Sequence, residues 1–80
     1  MPSLREKFGR RLKAIRLARK MSQEQFAELI GISVDFLSLI ERGLNAPSFE
    51  NLDAFSAQLG VPVAALFDFD SVPADQSLCE

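Results

Sequence analysis

The sequence predicts an all-α fold of five short helices, on three kinds of observation. Serines stand where helices should begin, glycines stand where they should end, and apolar residues between them recur at spacings of three and four. The serines are Ser22, Ser33 and Ser48, and the glycines are Gly31, Gly43 and Gly60. With 80 residues, 48% of them hydrophobic, the chain is long enough for one domain with a small core.

The first predicted helix runs from Ser3 to Lys20. Its apolar residues follow one another at steps of four, four and three, which places them along one side of an amphipathic helix. These residues are Leu4, Phe8, Leu12 and Ile15. Gly9 also lies in this helix, where a glycine costs about 1 kcal/mol relative to alanine, and the apolar pattern continues past it.

The second and third predicted helices lie close together in the chain. Ser22 and Gln25 have the spacing of a capping box, which predicts a helix start, and Gly31 predicts the end of that helix. Ser33 caps the third helix, which ends at Gly43. Because only two residues separate the helices, they must cross steeply, and this is the outline of a helix-turn-helix. The expected buried residues are Phe26, Ala27, Ile30, Phe36, Leu37 and Ile40.

Two further helices complete the predicted domain. After a loop over Arg42–Pro47, Ser48 caps a fourth helix that ends at Gly60. Pro62 suits the first turn of a fifth, short helix that ends near Phe67. The expected buried residues of the fourth helix are Leu52, Phe55 and Leu59. The chain therefore divides into a folded domain at residues 1–67 and an acidic, mobile tail at residues 68–80.

Charge is distributed unevenly along the chain. Eight of the nine cations lie between Arg5 and Lys20 with one acid, whereas residues 21–80 hold ten acids and the single cation Arg42. Two interpretations are open: the cations form a local positive surface that attracts an anionic partner, or they are the solvated side of a helix. The net charge of −2 argues against a generally basic nucleic-acid binder.

Composition also argues against several classes of function. The chain has no histidine, and its one cysteine is Cys79, so neither a transition-metal site nor a Cys/His or Ser/His catalytic pair is expected. We therefore expect no enzyme activity and no cofactor. No apolar stretch is long enough to span a membrane and no signal peptide is visible, so a reducing cytoplasm is the expected location.

The segment from Gln23 to Gly43, QEQFAELIGISVDFLSLIERG, resembles the helix-turn-helix of the phage repressor and Cro-type (XRE-like) regulators. The likeness extends over about residues 4–67, from RRLKAIR to APSFENLDAFSAQLGVPVAALF. It implies a compact five-helix domain like that of lambda repressor, with the third helix in the major groove of double-stranded DNA. The implied function is a sequence-specific transcriptional regulator.

The resemblance implies that the third helix, over residues 33–42, reads bases with its outward residues, Val34, Asp35, Ser38 and Leu39. Family members often carry glutamine, arginine, lysine or asparagine here, and this chain departs from that pattern. Val34 and Leu39 can contact thymine methyl groups, and Asp35 can accept from a cytosine amino group, although a carboxylate also repels nearby phosphates. The alternative is that Val34 and Leu39 form an apolar patch for a protein partner or are merely tolerated.

Phosphate contacts are expected at helix starts and in the loop after the third helix. Helix N-termini carry free N–H groups and a partial positive charge, which suit an anion, and the resemblance assigns a backbone phosphate to Gln23. The expected contacts are Lys20, Ser22, Gln23, Ser33, Arg42, Asn45 and Ser48. The three serines are also explained as helix caps alone, and both roles are compatible.

The resemblance also implies a structural ion pair between Arg16 and Glu41, joining the first and third helices. The resemblance places this pair in the interior. Removal of one partner would therefore leave an uncompensated buried charge. The alternative is an exposed pair that contributes about 0–1 kcal/mol.

Dimerisation is expected because one recognition helix reads too few bases, so such domains bind paired half-sites. The family often pairs through its C-terminal helices, which here indicates Val61, Val63, Leu66 and Phe69, with Phe67 assigned to the core. Activation through contact with RNA polymerase and repression by occlusion are both compatible with the sequence. The alternative function is an antitoxin-like or adaptor module that binds a protein with this same fold. No small-molecule ligand is expected.

Overall fold

The structure, a computed structural model, describes residues 2–70, and that part of the chain contains four α-helices and one short 3₁₀ helix. The elements are α1 (Leu4–Ala18), α2 (Gln23–Ile30), α3 (Val34–Glu41), α4 (Phe49–Leu59) and the 3₁₀ helix (Val63–Phe67). The all-α class is confirmed. Residues 71–80 of the predicted acidic tail lie outside the described residues. Within residues 2–70, no helix is both long and apolar enough to cross a bilayer.

The fifth element differs from its prediction. It is a 3₁₀ helix rather than an α-helix, and Pro62 precedes it in an extended conformation instead of forming its first turn. Its first bond joins the Ala65 N–H to the Pro62 carbonyl, a spacing of three residues. A segment of five residues is short enough for this tighter helix, whose poorer hydrogen-bond geometry limits longer runs.

Serine caps begin all four α-helices. The Oγ atoms of Ser3, Ser22, Ser33 and Ser48 each accept the backbone N–H three residues further on. At the start of α1 the Ser3 N–H also donates to the Glu6 carboxylate at 2.8 Å. This bond is the largest cause of the lowered pKa of Glu6, and hydrogen bonding of its carboxylate with the Ser3 side chain lowers that pKa further.

Left-handed residues end the helices. Gly31, Gly43 and Gly60 have φ values of 82°, 76° and 69°, as their predicted role requires. The end of α1 is different, because Lys20 adopts φ 58° without being a glycine. This conformation lets the Met21 N–H reach the Arg16 carbonyl, but it brings a side chain into a region that L-residues avoid.

The core lies between the five elements: α1 and α2 each pack on α3, α2 also packs on α4, and the 3₁₀ helix packs on α1 and α4. Its buried apolar residues are Phe8, Leu12, Ile15, Phe26, Ala27, Ile30, Leu37, Ile40, Leu52, Phe55, Leu59 and Leu66. Two predictions need correction. Leu4 is 61% exposed because it stands in the first turn of α1, beyond the core. Leu66 is 1% exposed, so it belongs to the core of this chain and is not available to a second chain. Phe36 and Phe67 are partly buried against the core.

Two cations, Arg11 in α1 and Arg19 directly after it, hydrogen-bond to neighbouring elements. The Arg11 Nε donates to the Ala65 carbonyl in the 3₁₀ helix at 3.0 Å. Arg19 Nη2 donates to the Leu59 carbonyl at the end of α4 at 2.7 Å. Part of the positive charge of α1 therefore stabilises the fold through charge-assisted hydrogen bonds to backbone carbonyls.

Candidate nucleic-acid interface

A buried ion pair fixes α3 against α1. Arg16 Nε donates to Glu41 Oε2 at 2.8 Å, and Arg16 Nη2 donates to Glu41 Oε1 at 3.0 Å. The two side chains are 10% and 3% exposed. Arg16 Nη1 also donates to the Met21 carbonyl at 3.0 Å, so one guanidinium links α1, the turn after it and α3. The bidentate geometry fixes the orientation of α3 as well as its position.

Gln23, the first residue of α2, joins the same network. Its Nε2 donates to Glu41 Oε1 at 3.0 Å. The sequence predicted a phosphate contact for Gln23 and not this bond. Because an amide nitrogen has two N–H groups, one remains for a phosphate while the other holds Gln23 against the end of α3.

At Gly9 the backbones of α1 and α3 lie in close contact, a role that sequence reasoning missed. A Cβ placed on Gly9 would overlap the carbonyl oxygen of Ile40 and lie 3.0 Å from that of Glu41. The signal in the sequence was a glycine inside an otherwise regular helix, next to the core residue Phe8. The two helices can therefore cross at this point only because residue 9 has no side chain.

The opposite side of α3 is open to solvent and carries few charges. Val34 is 37% exposed, Asp35 is exposed, and Ser38 and Leu39 are half-buried. These are the four predicted base-reading residues, and α3 holds them on the side away from Leu37 and Ile40, which are fully buried. The arrangement presents two apolar side chains, one hydroxyl and one carboxylate to a partner.

The predicted phosphate contacts lie at exposed positions around this helix. Ser22, Ser33 and Ser48 stand at the starts of α2, α3 and α4, and each serine already caps its helix. The first-turn N–H groups that a serine does not cap remain available to an anion. Each first turn also contains an acid, Glu24, Asp35 or Glu50, which stabilises the helix dipole but repels phosphate.

Three further predicted contacts carry side-chain donors. Lys20 is exposed at the turn before α2. Arg42, the last cation before the loop, is exposed and donates from Nε to the Ser38 carbonyl at 3.4 Å, a long bond that leaves the guanidinium near the outer side of α3. The side-chain oxygen Oδ1 of Asn45 accepts the Ala46 N–H at 2.9 Å, so the Asn45 side-chain NH₂ group is directed away from that N–H.

The predicted dimer residues are distributed around the C-terminal end of the described chain. Val63 and Phe69 are each 37% exposed, and Val61 is partly buried against the core. Phe69 contacts Phe67 edge-on, with ring centroids 6.2 Å apart, and Phe67 in turn lies 5.1 Å from Phe8. Three of the four predicted residues therefore retain exposed surface, and Leu66 does not.

Comparison with known proteins identifies the family. The pattern of the helix-turn-helix family HTH_3 matches residues 12–66, which is more than half of the chain. The chain is 35% identical over 71 residues to the control protein C.BamHI of Bacillus amyloliquefaciens, covering 88% of each protein. It is 43% identical over 58 residues to the immunity repressor of Bacillus phage phi105, covering 72% of this chain and 40% of the repressor's own length.

A solved structure supports the same assignment. The clp gene regulator ClgR of Corynebacterium glutamicum superimposes with a TM-score of 0.76 at 32% identity, covering 86% of this chain and 90% of that one. The chain therefore belongs to the helix-turn-helix family HTH_3, as the resemblance in the sequence implied.

Proposed function

We propose that this helix-turn-helix protein, a DNA-binding transcriptional regulator, binds a palindromic operator as a homodimer with α3 in the major groove. The observation that carries the proposal is the contrast between the two sides of α3. Its inner side is fixed by the pair Arg16–Glu41 and by the close crossing at Gly9, while its outer side is exposed. A helix held in this way enters the groove in one orientation.

Base recognition on this surface depends on apolar contacts more than on hydrogen-bond donors. Val34 and Leu39 fit thymine methyl groups, which only the major groove presents. Asp35 accepts from a cytosine amino group, and Ser38 can donate or accept. We therefore expect the operator half-site to contain thymines opposite the start and middle of α3 and a cytosine near Asp35.

Phosphate binding supplies the sequence-independent part of the affinity. Lys20 and Arg42 provide charge, while the N-termini of α2, α3 and α4 and the amides of Gln23 and Asn45 provide hydrogen-bond donors. Each neutralised phosphate adds about −0.9 to the slope of log affinity against log salt. Because the first turns also carry acids, we expect a modest slope for the chain as a whole.

The proposal is tested by selecting random duplex DNA with the purified full chain and titrating the selected sequences at two salt concentrations. Recovery of a palindrome with salt-dependent binding supports it. Arg42→Ala should reduce the salt slope by about 1 without changing the selected sequence, and Val34→Ala should change the selected sequence without changing the slope. Lys13→Ala, on the exposed side of α1, is the control for loss of a cation elsewhere.

A second candidate function is a protein-interaction module with the same fold. The apolar outer residues Val34 and Leu39 favour it, as do the acids at the starts of α2, α3 and α4. A partner bound through Val34 and Leu39 would be far less sensitive to salt than DNA. If no duplex is enriched and binding stays weak at low salt, this candidate replaces the operator-binding proposal.

A further inference from the structure

An apolar groove borders the proposed DNA contacts, since Asn45, one of the proposed phosphate contacts, also lines it. It has a volume of about 190 Å³ and opens between the start of α1, the loop before α4, the start of α4 and the end of the 3₁₀ helix. Its lining includes Leu4, Phe8, Pro47, Phe49, Leu52 and Phe67. Single exposed apolar residues are common on small proteins, whereas apolar residues grouped around one groove are a candidate binding surface.

A protruding aromatic side chain stands at the edge of this groove. Phe49, the first residue of α4, is 83% exposed, the largest exposed fraction among the large hydrophobic residues described. Leu4, which also lines the groove, is 61% exposed. Ser48 caps α4 whatever residue follows it, so the start of the helix does not require an aromatic residue at position 49.

We infer that the groove is the dimer surface, and that each copy of the chain inserts Phe49 into the groove of the other. A two-fold interface uses the same patch on both subunits, so the patch must contain both the inserted group and the site that receives it. The structure places these two features side by side on one surface. A phenyl ring on a floor formed by Phe8, Leu52 and Phe67 would make aromatic and aliphatic contacts throughout.

Charge beside the groove favours a second copy over an unrelated partner. On the α1 side Arg5 lines the groove. On the α4 side the exposed acids Glu50 and Asp53 lie next to Phe49 and one helical turn beyond it, outside the groove lining. In a two-fold arrangement the acids beside the inserted Phe49 of one copy can approach Arg5 of the other copy, and the same contact forms a second time by symmetry.

This inference rests on the proposed homodimer and names its contact surface. The groove begins in the loop that directly follows α3, whereas the 3₁₀ helix, with the predicted contact Val63, packs on α1 and α4. Phe69 contacts the groove residue Phe67 but itself lines a different cleft. The inference therefore differs from the sequence prediction, which centred the interface on Val61, Val63 and Phe69.

The first test compares matched alanine variants of the full chain by sedimentation equilibrium at micromolar concentration. Phe49→Ala should raise the dimer dissociation constant at least about tenfold, as expected for a central aromatic anchor. Leu17→Ala is the control, because Leu17 is 48% exposed on α1 and does not line the groove. Circular dichroism melts should show both variants folded.

The second test exchanges charges across the groove. Arg5→Glu and Asp53→Arg should each weaken the dimer, because each places like charges next to each other between the two copies. The double variant should restore the dimer to within a fewfold of the original dissociation constant. Independent losses that add in the double variant would overturn the inference, since no pairing between copies would then exist.

The remaining outcomes separate this inference from the proposed function. If Val63→Ser abolishes the dimer and Phe49→Ala does not, the interface lies at the 3₁₀ helix and the inference is overturned. If the unaltered chain sediments as a monomer, the inference is overturned as well. In either case, retained salt-dependent binding to the selected operator would leave the DNA-binding proposal standing.

Discussion

The two sides of α3 differ in how tightly the rest of the chain constrains them. The inner side is fixed in position: there is no space for a side chain at Gly9, and Glu41 accepts hydrogen bonds from both Arg16 and Gln23. The outer side is exposed at Val34 and Asp35 and half-buried at Ser38 and Leu39. The inner side therefore determines where the helix points, and the outer side is free to determine what it contacts.

This division has a physical basis. Substitutions on an exposed side of a helix usually change stability by no more than about 0.5 kcal/mol, so base-reading residues can vary without unfolding the domain. Substitutions at a close-packed crossing or a buried ion pair have no such tolerance. Each variant below tests whether the two sides of α3 separate stability from binding in this way.

The largest effect is expected from Glu41→Ala. This change leaves Arg16 buried, 10% exposed, without its carboxylate, which should cost roughly 3–5 kcal/mol of folding free energy. For a domain of this size the melting temperature should fall by about 12 °C or more. Glu28→Ala removes an exposed acid from α2 and should leave the melting temperature nearly unchanged.

A double variant separates the cost of an unpaired charge from the cost of lost packing. Arg16→Met with Glu41→Leu removes both charges and keeps side chains of similar size. It should be more stable than Glu41→Ala, because an apolar pair replaces a buried pair with little loss. An unchanged melting temperature for Glu41→Ala would show that the ion pair does not hold α3 in place.

Gly9→Ala should follow in size. The added methyl group overlaps the Ile40 carbonyl, so α1 and α3 must move apart, which typically costs about 1–3 kcal/mol. The better helix propensity of alanine, about 1 kcal/mol, offsets part of this cost. A chemical denaturation curve measures the difference. A variant more stable than the original chain would contradict the close contact between Gly9 and the Ile40 carbonyl.

Lys20→Gly should act on stability and on DNA binding with opposite signs. Glycine relieves the left-handed conformation at φ 58°, which should stabilise the fold by about 1 kcal/mol. Loss of the cation should weaken binding to any duplex and reduce the salt slope by about 1. Thermal melts and titrations at two salt concentrations measure the two effects. Lys20→Arg, which retains the charge and the strain, should change neither.

The smallest effect is expected at Glu6, which lies in the first turn of α1 and contacts the residue Gly43 after α3. A Cβ on Gly43 would lie 2.7 Å from Glu6 Cγ, so the carboxylate side chain also covers the end of α3. The pKa of Glu6 is lowered in the folded state by its bonds with Ser3. Its contribution is therefore present above the ordinary glutamate pKa and is lost as the pH falls through the lowered value.

Glu6→Gln isolates this contribution, because glutamine retains the capping box but does not titrate. The variant should be slightly less stable than the original chain at neutral pH, and the two should converge in acid. Melting temperatures measured from pH 7 to pH 3 test the expectation. Parallel curves across that range would show that the lowered pKa contributes nothing to stability.

Much of the fold was predictable because local chemistry sets the helix boundaries. Ser22, Ser33 and Ser48 act on backbone groups only three residues away, and Gly31 and Gly60 supply a conformation that other residues adopt at a cost. Such local effects can be predicted from the order of the residues alone. The helical period likewise predicted that the four base-reading residues lie on one side of α3.

Contacts between distant segments were harder to predict from the sequence. The Arg16–Glu41 pair was expected from resemblance to a family, and no local pattern required it. The bond from Gln23 to Glu41 and the closeness of Gly9 to Ile40 were not predicted. The hydrogen bonds from Arg11 and Arg19 to backbone carbonyls were not predicted either. In the sequence these residues are only polar or small positions on a helix.

The sequence by itself determined the all-α class, the places where α2, α3 and α4 begin and end, and most of the apolar residues that each α-helix buries in the core. These properties depend on a few consecutive residues and on the period of the helix. Only the tertiary structure decided that Leu66 lies in the core, that Gly9 is the crossing point, and that Phe49 stands beside an apolar groove. The reason is that burial of an individual side chain depends on which distant elements pack over it, and that packing belongs to the assembled chain.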